Sequence, residues 1–180
     1  MLLFCRPKRP LTDTGQNVGA HVREARSFLG KFRSAELATI DSQFGPNASY
    51  CPFIRCSDNC FYIYVSLLAK HTRNLINLPK VSLLLIEDEA MSEQVFARER
   101  MTFQCNAALI SRKSALYSKI QGIMNSKFGD VIQTIATLPD FCAFQLHPVS
   151  CSYVTGFANA YSFCGRDLDA LSIVNDEDSY

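Results

Sequence analysis

The sequence predicts a mainly β protein: an antiparallel barrel with helices at its periphery. Three observations carry this expectation. Several runs are rich in aromatic and β-branched residues, such as Cys60-Phe-Tyr-Ile-Tyr-Val65 and Val81-Ser-Leu-Leu-Leu-Ile86. Turn residues punctuate them, as at Gly45-Pro46-Asn47 and Asp58-Asn59. Stretches with helical spacing are few. Many strands with few helices favour a closed antiparallel sheet. A barrel of this size with long bare strands is expected to close further by dimerisation.

The elements follow in order. Residues 1–16 read as a loose N-terminal arm. Residues 17–33 read as an amphipathic helix, with Val18, Val22, Ala25, Phe28, Leu29 and Phe32 near helical spacing. Residues 35–41 and 48–55 are two strands of a hairpin around the Gly45-Pro46 turn. Residues 60–66 form a third strand. A helix over 70–78 stops before Pro79. The fourth strand, 81–87, is continuously apolar, which suggests burial on both faces. Residues 89–96 read as a short helix and 100–111 as a long fifth strand. A helix over 114–128 has Ser114 as its N-cap, and a second short helix spans 129–138. Residues 141–147 and 152–163 read as strands six and seven, with Gly156 as a bulge or close-approach point. Residues 167–180 are acidic and weakly patterned. No internal repeat or domain boundary is visible. The organisation is an arm over 1–16, one barrel domain over 17–166 and an acidic tail over 167–180.

Composition narrows the function. The chain has 180 residues, is 48% hydrophobic and carries a formal net charge of +1. One domain with a sizeable core fits that length. The near-zero charge gives no field that favours nucleic acid or a membrane surface. The apolar runs are too short to span a bilayer. The N-terminal segment lacks the order of a secretory signal, so the expected location is cytoplasmic. None of the eight cysteines shows C-x-x-C spacing with another, which argues against a zinc ribbon or a dithiol redox site. Cysteines inside apolar runs act as small hydrophobes, and reduced thiols are expected.

The junction Ser66-Leu-Leu-Ala-Lys70-His71-Thr72-Arg73-Asn74-Leu75 concentrates hydroxyls, cations and an imidazole where a strand hands over to a helix. A helix N-terminus favours negative charge, and Lys70 and His71 add donors, so the junction suits an anionic group. A capped surface helix with solvated charges is the plain alternative.

The motifs Leu37-Ala-Thr-Ile-Asp41, Gly45-Pro-Asn-Ala-Ser-Tyr50-x-Pro52-Phe53, Ser66-x-x-Ala69-Lys70-His71-Thr72-Arg73-Asn74-Leu75, Ile86-Glu-Asp88, Phe96-Ala-Arg-x-Arg100-x-Thr-Phe103, Phe128-Gly129, Asp140-Phe141 and Gly156-Phe157-x-x-Ala160-Tyr161 occur in this order. From about residue 20 onward the chain resembles the bacterial haem-utilisation proteins of the pyridoxamine 5′-phosphate oxidase-like, FMN-binding split-barrel superfamily. The resemblance implies a homodimeric split β-barrel with two ligand sites at the subunit interface. It implies cofactor-binding roles for Tyr50, Pro52, Phe53, Val65, Ser66, Lys70, His71, Thr72, Asn74, Arg100 and Thr102. In flavin-binding relatives the Lys70-His71 pair holds the FMN phosphate. In haem-handling relatives the arginine matching Arg100 faces the distal side of haem, and the porphyrin is cleaved with oxygen and an external reductant. Those relatives place an axial histidine near the C-terminus. The matching position here is Asp178, and the segment after Val174 has no histidine. Asp140 matches an acidic residue that supports that histidine. Tyr180 is a phenolate candidate without a visible orienting group.

Other candidates are plainer. His21 reads as a surface or dimer residue of the first helix and His147, before Pro148, as structural. Glu87 and Asp88 read as a solvated turn rather than an acid–base pair. Arg100, if inward on its strand, would pair with an anion. Three functions follow: a haem-binding protein of the haem-utilisation type, extending to oxygen-dependent haem degradation with an unidentified electron donor; an FMN-binding oxidoreductase; and a non-catalytic cofactor-binding dimer.

Overall fold

The computed structural model describes residues 15–156, 159–164 and 171–173. Six strands close into an antiparallel barrel: β1 (Ser34–Ile40), β2 (Pro46–Arg55), β3 (Phe61–Ser66), β4 (Lys80–Ile86), β5 (Arg100–Ile110) and β6 (Phe141–Gly156). They lie in the order β3-β2-β1-β4-β5-β6, and pairing of β3 with β6 closes the ring. Strands β7 (Asn159–Cys164) and β8 (Leu171–Ile173) extend the sheet beyond β6. The helices are α1 (Gly15–Gly30), α2 (Lys70–Asn77), α3 (Ala115–Phe128) and α4 (Val131–Thr137).

Alternation along each strand builds the core. On β1, Ala35, Leu37 and Thr39 point inward and Glu36, Ala38 and Ile40 outward. On β5, Met101, Phe103 and Cys105 point inward. Inside the barrel Phe61 meets Phe53 and Phe103 edge to face, with ring centroids 5.3 and 4.8 Å apart. Such geometry adds about 0.5–1.5 kcal/mol per pair beyond area burial. Helix α1 covers the barrel with Val22, Ala25, Phe28 and Leu29, all part of the same core.

The strand buried on both faces is β3, not β4. Phe61, Ile63 and Val65 enter the barrel, while Tyr62 and Tyr64 pack outward under α3 and α4 against Tyr117, Ile120 and Ile132. On β4, Val81, Leu83 and Leu85 are buried, but Ser82, Leu84 and Ile86 remain partly exposed. The apolar run 81–86 therefore covers one face with core and leaves the other uncovered by this chain. Apolar content alone does not reveal which strand receives a helical layer.

Other boundaries also differ from expectation. Residues 141–156 form one strand rather than two. Pro148 is tolerated because the register slips between Gln104 and Cys105, making Val149 the extra residue of a bulge. A proline needs such a place, since it cannot donate to the ladder. A second slip near Gly156 fits the expected bulge. A Cβ there would meet nothing within 4 Å, so it is not a close-approach point. Residues 89–96 do not form a helix but two 3₁₀ turns, Glu89–Met91 and Val95–Ala97. Helix α1 begins at Gly15 and ends at Gly30, earlier than expected. Ser114 caps α3, accepting from Tyr117 N at 3.2 Å. Strand β8 lies in the segment expected to be weakly patterned. Phe157, Asp178 and Tyr180 lie outside the described residues.

Candidate functional site

The β3–α2 junction is built by local hydrogen bonds. Ser66 ends β3, and its Oγ donates to Asp140 Oδ2 at 2.5 Å while accepting from Leu68 N at 3.1 Å. Leu67 N donates to Asp140 O at 2.7 Å, which ties the junction to the start of β6. Thr72 is fully buried, and its hydroxyl donates to Ser66 O at 2.6 Å. Asn74, also buried, donates to Thr39 Oγ1 at 3.0 Å. These two residues fix α2 to the barrel end. The N-cap Ala69 has no side-chain acceptor, so the first-turn N–H groups of α2 lack a side-chain cap.

Lys70 and His71 point to different places. Lys70 Nζ pairs with Asp41 Oδ2 at 3.0 Å. Asp41 also accepts from Gly45 N at 2.7 Å and Gln43 N at 3.0 Å. The hydrogen bond from Lys70, followed by those of Gly45 and Gln43, holds the Asp41 carboxyl below the ordinary aspartate range. A Cβ on Gly45 would lie 2.8 Å from Asp41 Oδ2, so glycine is what lets this turn close on the carboxylate. His71 Nδ1 lies 3.0 Å from Ser49 Oγ, at the polar end of the barrel. Burial pushes the His71 imidazole below its usual value, favouring the neutral ring. At neutral pH the junction thus presents the Lys70 ammonium, already paired, a neutral His71 imidazole, and the Arg73 guanidinium, whose Nη1 donates to Leu67 O and Leu68 O at 3.4 Å.

The outer face of the sheet is the second feature. Pairing puts Tyr50, Glu36, Leu84, Thr102, Ser152 and Ser162 in one row across β2, β1, β4, β5, β6 and β7. A neighbouring row contains Ala48, Ala38, Ser82, Gln104 and Ser150. Serine, threonine and alanine make up much of these rows, with Tyr50, Glu36, Leu84 and Gln104 among them. Tyr50 is 71% exposed and opens into a groove of about 540 Å³ lined also by Phe32, Glu36, Leu84, Ile86 and Arg98. Arg98 is anchored by hydrogen bonds to Glu87 O and lies 3.6 Å from Glu89. Lys70 and His71 do not line this groove. Asp41 lies five residues beyond Glu36, about 16 Å along an extended chain.

The residues singled out in the sequence therefore divide. Tyr50, Pro52 and Thr102 lie on the outer face. Arg100 shares it, because Met101 and Phe103 take the inward positions, so the condition of an inward Arg100 is not met. Its Nη1 donates to Arg98 O at 3.0 Å. Ser66, Lys70 and His71 form the junction. Phe53 and Val65 are 2% and 4% exposed, so their side chains belong to the core rather than to a lining. Thr72 and Asn74 are consumed by the structural bonds above. The client of Asp140 is Ser66, not a histidine. The residues missed by sequence reasoning are Asp41 and Ser49, the partners of Lys70 and His71. Asp41 stood in a quoted motif, and an aspartate four residues before a turn glycine is the signal for such a loop.

No described histidine is placed to ligate iron on the outer face. His71 faces Ser49, His21 contacts Tyr161 and Glu24, and His147 Nδ1 lies 3.4 Å from Cys60 Sγ. Among the described residues no group of three or more His, Cys, Asp or Glu could hold a metal ion. Burial pushes the Cys51 and Cys105 thiols up to about 12, leaving no thiolate there at neutral pH.

Residues 22–155 match the pyridoxamine 5′-phosphate oxidase family. The chain is 38% identical over 145 residues to the haem oxygenase HutZ of Vibrio cholerae, covering 81% of this chain and 82% of HutZ. The crystal structure of HutZ, described as a haem storage protein, superposes with a TM-score of 0.67 at 37% identity, over 70% of this chain and 88% of that one. Campylobacter jejuni ChuZ superposes with a TM-score of 0.77 at 25% identity, over 87% of this chain and 63% of that one. A haem-binding protein from Mycobacterium smegmatis shares the fold, with a TM-score of 0.71 at 20% identity, over 83% of this chain and 60% of that one. With sequence match, strand order and barrel closure in agreement, the chain belongs to the haem-utilisation proteins of the pyridoxamine 5′-phosphate oxidase-like split-barrel superfamily.

Proposed function

We propose that this protein binds haem as a homodimer, with the ligand held between the outer barrel faces of two copies. The observation that carries the reading is the uncovered face of β4. Leu84 and Ile86 remain partly exposed on the outer face of the sheet, beside the 71%-exposed Tyr50. A second copy would cover this face, and a planar ligand suits it. The kinship with HutZ names haem as that ligand. Arg100, on the same face, supplies a cation for an anionic group. Lys70 is a second donor once its bond to Asp41 is exchanged, a small cost for a half-exposed pair.

The donor set fits the flat ring and its carboxylates better than the iron. Haem brings iron redox chemistry when bound, and this chain's described residues orient no imidazole toward it. The reading is therefore one of haem binding. A cytoplasmic location goes with it, supported by the buried thiols of Cys51, Cys105 and Cys151; no helix among the described residues is long and apolar enough to cross a membrane. We take the barrel domain as residues 17–166, between an N-terminal arm and a tail, with β8 extending the sheet past that boundary.

Titrating the purified protein with hemin tests this. A Soret shift that saturates near one haem per protomer is expected. No shift at stoichiometric hemin overturns it. Asp178→His is expected to tighten the complex by supplying the imidazole that relatives carry. The second reading, FMN binding, rests on the ammonium and uncapped N–H groups at the start of α2. It is favoured instead if the preparation shows flavin absorption and Lys70→Ala weakens FMN.

A further inference from the structure

The turn that joins β2 to β3 carries Cys56 at one end and Cys60 at the other. The two strands run in register, with Arg55 opposite Phe61. The ladder continues one step further, since Cys56 N donates to Cys60 O at 3.1 Å. Asn59 N donates back to Cys56 O at 3.0 Å, and Asn59 is left-handed, with φ 61°. This is a three-residue hairpin loop closed by a left-handed residue, and it sets Cys56 opposite Cys60. In such a hydrogen-bonded pair the Cα atoms lie about 5.5 Å apart, inside the roughly 4.4–6.8 Å that a disulfide bridges.

The two side chains share a face. Phe53 and Phe61 enter the barrel, whereas Ile54 and Cys60 belong to the layer beneath α3 and α4, and Cys56 packs against that same layer. Cys60 is fully buried and Cys56 is partly exposed. The next strand completes the row. On β6 Leu146 pairs with Phe61, which sets His147 beside Cys60, and its Nδ1 lies 3.4 Å from Cys60 Sγ. Strands β2, β3 and β6 thus place a reachable thiol, a buried thiol and an imidazole side by side. Three residues separate the cysteines in the chain, a spacing without a dithiol signal; the hairpin supplies the proximity. Among the described residues such groups do not form a metal site.

We propose that Cys56 and Cys60 form a reversible disulfide when hydrogen peroxide reaches Cys56, with His147 as the base for Cys60. The Cys56 sulfur attacks one peroxide oxygen and the O–O bond breaks. Cys56 becomes a sulfenic acid, and the other oxygen leaves as water with the thiol proton. Cys60 passes its proton to His147 Nδ1, and its sulfur attacks the Cys56 sulfur. The S–O bond breaks, and the hydroxyl leaves as water with the proton from His147. Two thiols lose two electrons, and one peroxide is reduced to two waters. Burial, followed by the Asp58 carboxylate, pushes the Cys56 thiol up, while Lys119 pulls it down. The thiolate is therefore scarce at neutral pH, and the first attack is the slow one. The inference stands independently of haem binding.

Oxidising the haem-free protein with hydrogen peroxide at pH 8, removing the excess with catalase and alkylating in urea tests it. Cleavage after Arg55 and Lys70 yields one peptide, 56–70, whose only cysteines are this pair. In the oxidised protein that peptide is expected to escape alkylation and to be lighter by two hydrogens in its mass spectrum. Reduction with dithiothreitol is expected to restore alkylation at both positions. Cys60→Ser is expected to stop at the Cys56 sulfenic acid, which dimedone traps. His147→Gln is expected to raise the dimedone-trapped fraction about five-fold or more, because closure loses its base. A 56–70 peptide alkylated at both cysteines after oxidation, or a disulfide from either one to a different cysteine, overturns the pair. An unchanged trapped fraction in His147→Gln overturns the assignment of the base. The wild-type peptide decides the first question without a variant, so loss of folding in Cys60→Ser leaves that result intact.

Discussion

Asp41 holds Lys70 at 3.0 Å, so the cation that marks the start of α2 is shared with an acid from the end of β1. The same carboxylate organises its own turn through Gly45 N and Gln43 N. An incoming anion must compete with Asp41 for the ammonium. Asp41→Asn keeps an acceptor for the turn but removes the charge. We expect it to tighten binding of an anionic ligand at this corner by roughly 1.5- to five-fold, the scale of an exposed ion pair. Hemin and FMN titrations of the variant check this, and unchanged affinity for both would mean that Lys70 takes no part.

Ser66 and Asp140 bridge the end of β3 and the start of β6. Ser66→Ala leaves the half-buried Asp140 carboxylate without that donor and removes the acceptor for Leu68 N. A loss of about 1–2 kcal/mol in urea unfolding is expected.

His71 should confer pH dependence on stability. Its folded-state pKa is lowered by burial, so the unfolded chain binds the proton more readily. Its contribution is fully present above the unfolded value near 6.5 and is lost as pH falls through the folded value. The urea midpoint is expected to fall between pH 7 and pH 5, and to fall less in His71→Gln. Equal slopes for the two proteins would exclude His71 as the source.

The outer face makes a prediction about assembly. Leu84→Glu places a charge in the middle of the row that a second copy would cover. We expect wild type to elute as a dimer in size-exclusion chromatography with light scattering, and the variant as a folded monomer with unaltered far-UV circular dichroism. Hemin binding should fall with the dimer.

Phe61 sits fully buried between Phe53 and Phe103. Phe61→Ala should cost about 3–5 kcal/mol through lost burial and the cavity left behind. For a domain of typical stability, about 5–15 kcal/mol, that brings thermal unfolding close to the working range.

Much of this protein was legible in one dimension. Alternation and turn residues set β1, β2 and β5 to within two residues, because a half-buried strand must show period two. Ser114 announced α3 through the chemistry of an N-cap. The motifs from Leu37 to Tyr161 carried the family, and the strand order and barrel closure agree with it. Only the tertiary structure decided which faces are covered. An apolar run reads alike whether a helix layer packs over it, as on β3, or leaves it bare, as on β4. Pro148 looked like a break because its tolerance depends on a bulge against β5, a non-local fact. The partners of Lys70 and His71 lie just after β1 and on β2, 29 and 22 positions away by numbering, where spacing carries no signal. Residue types come from the chain, but a charge's effect depends on what stands 3 Å from it, and that distance is fixed by packing.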